Sequence, residues 1–93
     1  MIKSLEEFTK RREEIRQWLM SNGVNNAEHC EHILDCFKSM VADFYGVWRA
    51  GSFVRAVLDN DFNEAVLMAD NVNYKYLRQY VWFKYEFLGG GKR

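Results

Sequence analysis

Not one of the 93 residues is proline, and only six are glycine. A sandwich or small barrel needs proline and glycine at its many turns, so a chain this poor in them is steered toward helices joined by short loops. The apolar pattern agrees. Cys30, Ile33, Leu34, Phe37, Val41, Phe44 and Trp48 stay within about 100° of one face when wound at 3.6 residues per turn, the width of a core-facing helix stripe. This predicts a helix starting at Asn25 or Asn26 and closing at Arg49-Ala50-Gly51.

The flanking segments read the same way. Ser4 followed by Glu7 is a capping box, and Leu5, Phe8, Ile15, Trp18 and Leu19 recur at helical spacing until Ser21-Asn22-Gly23 stops the helix. Ser52 opens a short helix through Phe53, Val54, Ala56, Val57 and Leu58. Asn60 ends that helix, and Asp61 caps the next, whose buried side is Phe62, Ala65, Val66 and Ala69. After a break at 70–73, a last helix spans Tyr74 to Leu88. The expectation is an all-α bundle of four to five helices, one domain over residues 1–88, with residues 89–93 a flexible glycine-rich tail.

Composition narrows the function classes. Apolar residues make up 48% of the chain, which excludes the low hydrophobicity of a disordered one. Thirteen basic and thirteen acidic side chains cancel. Nucleic acid is therefore disfavoured as a partner, because neutralising phosphates supplies much of that affinity. Lys10, Arg11, Arg12 and Arg16 alternate with Glu6, Glu7, Glu13 and Glu14, which predicts a self-compensating helix face. No run approaches the ~18 apolar residues of a membrane span, and nothing at the start resembles a signal peptide. A cytoplasmic location follows as the expectation.

Seven aromatics crowd the last helix: Tyr74, Tyr76, Tyr80, Trp82, Phe83, Tyr85 and Phe87. One apolar face suffices to seat a helix on a small core, and this helix is apolar around most of its circumference. Either it is central, or it buries a second face against another chain. Tyr76, Tyr80, Trp82, Phe83 and Phe87 are the residues expected at such an interface, with a homo-oligomer or a partner protein on the other side. Arg55, Arg78 and Lys84 lie among these aromatics and form a candidate anion site, so the alternative reading is an oligomeric binder of a small anionic ligand such as a nucleotide.

Other chemistry finds little footing. His29, His32 and Cys36 share one side of a helix, but structural zinc takes four ligands and the chain has no second Cys/His pair. Cys30 and Cys36, six apart on one helix, point about 120° from each other, which opposes a disulfide. Asp59 and Asp61 are explained by capping, and no Walker or Rossmann phosphate loop is present. No catalytic residue, metal ligand or cofactor is assigned, and the chain is read as a binding protein.

The segment Gly51-Ser52-Phe53-Val54-Arg55-Ala56-Val57-Leu58-Asp59-Asn60-Asp61, followed by Ala65, Ala69-Asp70 and Asn73, resembles one found in small uncharacterised proteins of tailed phages and prophages. The likeness covers roughly residues 44–73. This chain lacks the proline that precedes the glycine in that pattern, and it ends in a charged glycine tail. The resemblance implies phage origin and a compact helical fold; taken with the aromatic excess of the last helix, it makes a host protein the expected partner. It implies no activity and no functional residues.

Overall fold

Four of the seven described helices begin where a short polar side chain satisfies an amide that has no partner within the helix. In the computed structural model, which describes residues 1–90, the Ser4 hydroxyl accepts from the Glu7 amide to open α1 (Leu5–Lys10). Asn26 accepts from the His29 amide to open α3 (Ala27–Phe44). Asp61 does the same for Glu64 in α5 (Phe62–Met68). Asp70 does so for Asn73 in α6 (Asn71–Lys75). The remaining helices are α2 (Arg12–Ser21), α4 (Ser52–Leu58) and α7 (Leu77–Phe87). The described residues are all-helical, seven helices of which five have seven residues or more.

Three boundaries differ from the expectation, each for a local reason. The first helix is jointed at Arg11, whose amide is shared between the Glu7 and Phe8 carbonyls; a switch from four-residue to three-residue spacing bends the chain there. The α3 helix stops at Phe44 rather than continuing to Trp48, because Gly46 takes φ 75° and lets the Val47 amide fold back on the Ala42 carbonyl. Trp48 therefore leaves the apolar stripe and is exposed. The last helix is two, with a break at Tyr76 (φ −112°, ψ 27°) between α6 and α7.

Three inward residues of α7, with Tyr76 at the break before it, hold the core together. Phe83 stacks on Phe37 of α3 with ring centres 3.9 Å apart and planes 11° from parallel. Tyr80 meets Phe37 and Phe53 edge-on at 5.3 and 5.0 Å. Phe8 of α1 packs edge-on against Phe83, and Trp18 of α2 against Phe87. Tyr76 reaches the other end of α3, where its hydroxyl meets His29 Nδ1 at 2.9 Å. Edge-to-face and offset arrangements of this kind add to the gain from area burial alone.

At the surface of α1 to α3, Arg11 bridges Glu7 and Glu14, Arg16 bridges Glu13 and Glu31, and Arg12 reaches Glu31 and Asp35. The charged face is thus compensated within itself and across to α3. The start of the chain is stitched to the end of α7: the Ile2 amide donates to the Phe87 carbonyl at 2.8 Å, and the Tyr45 hydroxyl donates to the Ile2 carbonyl. Gly89 and Gly90 take φ 84° and 76°, and the Gly90 amide returns to the Lys84 carbonyl. A Cβ on Gly90 would lie 2.4 Å from the Tyr85 ring, so only glycine fits. The rest of the expected tail, residues 91–93, lies outside the described residues. No described helix is long and apolar enough to cross a membrane.

Candidate functional site

The two sides of α7 have opposite fates. Of the residues expected at an interface, Tyr76, Tyr80, Phe83 and Phe87 are buried within the chain, and only Trp82 reaches the surface. The α3 stripe, Phe8, Trp18 and Phe53 supply enough apolar surface to cover that side without a second chain. What α7 presents outward is Arg78, Val81, Trp82 and Tyr85, at helical neighbour spacing. The Arg78 guanidinium lies over the Trp82 ring, 5.4 Å from its centre.

Beside Val81 and Tyr85 runs a groove of about 160 Å³ between the α4–α5 hairpin and α7. Ala56, Ala65 and Leu77 floor it, Phe62, Val81 and Tyr85 wall it, and Asn60, Asp61 and Lys84 close one end. Small alanines make the hollow. Phe62 is the residue most misplaced by the periodicity, which assigned it to the buried side of α5. It is 66% exposed. With Asp61 as cap, Phe62 is the first residue of the helix, and the inward direction is set by Ala65. Tyr85 is also prominent, at 61% exposure, and Leu67 further along α5 at 73%. For Tyr85 the visible signal is the excess of aromatics in the last helix over what one face can bury; nothing of the kind marks Phe62 or Leu67 on α5.

The basic candidates do not converge. Lys84 is buried, and its Nζ donates to the Val57 and Leu58 carbonyls at 3.2 and 2.8 Å and to Asn60 Oδ1. It serves as a C-terminal cap for α4, supplied by a helix 26 residues away. Asn60 can accept it because it takes the left-handed conformation, φ 60°. Arg55 is half-buried on α4 and lines a polar cavity of about 280 Å³ with Asp43, Arg49 and Asp59. Two carboxylates there offset two guanidiniums, so the cavity presents no excess positive charge to an anion. Arg78 is exposed and turned over Trp82.

The histidines and cysteines have structural partners. His29 holds the Tyr76 hydroxyl, and His32 Nε2 lies 3.0 Å from Asp70 Oδ2. Among the described residues no three His, Cys, Asp or Glu side chains are grouped to hold a metal ion. Cys30 and Cys36 are unbridged. Burial pushes the Cys36 thiol up, against smaller opposing effects of hydrogen bonds with Tyr80 and Asn73. A thiol so held is a poor nucleophile near neutrality. Its neighbour Tyr80 donates to Asn73 Oδ1, and burial raises that phenol well above its ordinary range. No family model, no curated protein and no solved structure matches this chain.

Proposed function

We propose that this chain is a phage-type helical interaction protein that acts by contact, docking through the α5–α7 face onto a protein complex of the host and inhibiting it. One observation carries the reading: Phe62, Val81 and Tyr85 wall an apolar groove and stay exposed although the chain has a complete core without them. Contiguous apolar surface on a small protein marks a contact site, and Tyr, Trp and Arg are the residue types that dominate binding energy at such sites. The resemblance of residues 44–73 to phage proteins supplies the host as the place to look. The buried Cys36 thiol and the dispersed basic groups favour contact over catalysis or anion binding.

The test is capture from lysate of a bacterial host with the tagged full chain, beside Tyr85→Asp and Phe62→Asp variants of unchanged helical content. The expected result is a stoichiometric host protein retained by the wild type and released by both substitutions. Identical capture by wild type and variants would overturn the groove as the docking surface.

A further inference from the structure

The groove lies beside a side chain of its own molecule that has the size to fill it. Phe62 forms one wall and stands 66% exposed, above a hollow of about 160 Å³ floored by Ala56, Ala65 and Leu77. An apolar cavity of ~150 Å³ accepts a benzene ring, so the hollow suits one phenyl group. Val81 and Tyr85 across from it are exposed too. Turning the Phe62 ring inward takes ring, floor and far wall out of water together, which is favourable in proportion to the apolar area covered. Resting on the reading of this groove as a protein-docking surface, we infer that Phe62 is its gate. The ring exchanges between the outward position and an inward one, seated over Ala65 against Val81 and Tyr85, and the inward position masks the groove.

The place of Phe62 in α5 leaves it free to turn. Within a helix, χ1 near +60° is rare because it drives a side chain into the preceding turn. Phe62 is the first residue of α5, with the cap Asp61 before it, so no turn of that helix stands in the way. The frame around the ring is fixed by contrast. Lys84 Nζ, at the polar end, is bonded to the Val57 and Leu58 carbonyls and to Asn60 Oδ1. Asp61 holds the Glu64 amide. Tyr85 is backed by Gly90, where a Cβ would run into its ring. Ala65 is buried and too short to reach across the hollow. One mobile ring among fixed walls opens and closes the groove without moving a helix. Rotamer exchange of exposed side chains takes picoseconds to nanoseconds, so the gate does not delay a partner. It lowers affinity instead, by the fraction of time the groove stands open.

The experiment is NMR on the full chain, wild type and Phe62→Ala, with dissolved benzene as the probe of the hollow. In the wild type the Phe62 ring protons should show contacts to the Val81 methyls, and those methyls should be shifted upfield by the ring. Phe62→Ala should abolish that shift. It should also bind benzene about tenfold more tightly than the wild type, as a groove closed about nine-tenths of the time requires. Benzene should shift the Leu77 and Val81 methyls, which places it in the hollow. The sign of the change separates a gate from a wall, because removing a mere wall weakens benzene binding. Benzene binding unchanged or weakened in Phe62→Ala therefore overturns the gate. So does a wild-type Phe62 ring without contact to Val81, a readout that needs no substitution and holds even where the variant loses helical content. The docking reading falls separately: a gate found with no host protein captured by the full chain leaves the gate standing over a groove that docks nothing. A host protein captured through a groove that Phe62 never enters removes the gate and keeps the docking surface.

Discussion

Helices α1 to α3 and helices α5 to α7 solve the same problem with different surfaces. In the first group the apolar side chains go inward and the outer faces carry linked pairs, Arg11 with Glu7 and Glu14, Arg16 with Glu13 and Glu31. In the second group Phe62, Leu67, Tyr74, Val81, Trp82 and Tyr85 all remain in contact with solvent. Both groups contribute to one aromatic core, so the outward aromatics are not left over from a failure to fold. The difference separates residues that specify the fold from residues available for contact. The contrast also shows why a count of aromatics in α7 overstates the interface: three of its five, Tyr80, Phe83 and Phe87, are buried in the core.

The comparison breaks most completely at the residue both groups share. Phe37→Ala removes the ring on which Phe83 stacks and Tyr80 leans, and should cost about 3–5 kcal/mol. Chemical denaturation should show it as a lowered midpoint with an unchanged slope. A loss below about 1 kcal/mol would mean that α3 and α7 are not packed as described. Lys84→Met comes next: it keeps the stem but strips the Val57 and Leu58 carbonyls and Asn60 of a charged donor. The expected cost is about 3 kcal/mol, with faster amide exchange at the α4–α5 joint than in α1 to α3. Uniform exchange across both groups would remove Lys84 as a local clamp.

The smallest effect sharpens the contrast. Hydrogen bonds from arginine hold several carboxylates of the first group below the ordinary carboxylate value of about 4.5: Arg11 lowers Glu7 and Glu14, and Arg16 lowers Glu31. Because the folded-state values are lowered, the stability they contribute is present above about 4.5 and is lost as pH falls through the folded values. Thermal melts should be flat at higher pH and decline below that point, modestly, since Glu14 and Glu31 are exposed and Glu7 is only half-buried. Concentrated salt should shrink the decline. An acid response undiminished by salt would locate its origin elsewhere.

The caps and the α3 stripe were legible in the sequence, because capping and helical spacing are local rules. Ser4, Asn26 and Asp61 act where the spacing puts them. The self-paired Glu/Arg face was legible for the same reason. Two kinds of information were not. A stripe cannot show where a helix stops when the next aromatic happens to fall on phase, as Trp48 does after Gly46 has ended α3. Nor can it show long-range partners: nothing near Lys84 announces that carbonyls of α4 will bury it. The candidate site suffered most, since Phe62 and Tyr85 were hidden among residues of the same type whose fate is decided by tertiary packing.

The bond between the Ile2 amide and the Phe87 carbonyl has a mechanical meaning. Tension applied at Met1 and beyond Leu88 would pull directly across that pair and the neighbouring Tyr45 contact, peeling them in sequence rather than shearing many bonds at once. Such a molecule would yield at low force from its ends while the stacked rings of Phe37 and Phe83 carried no load until the segment before α1 had already come away.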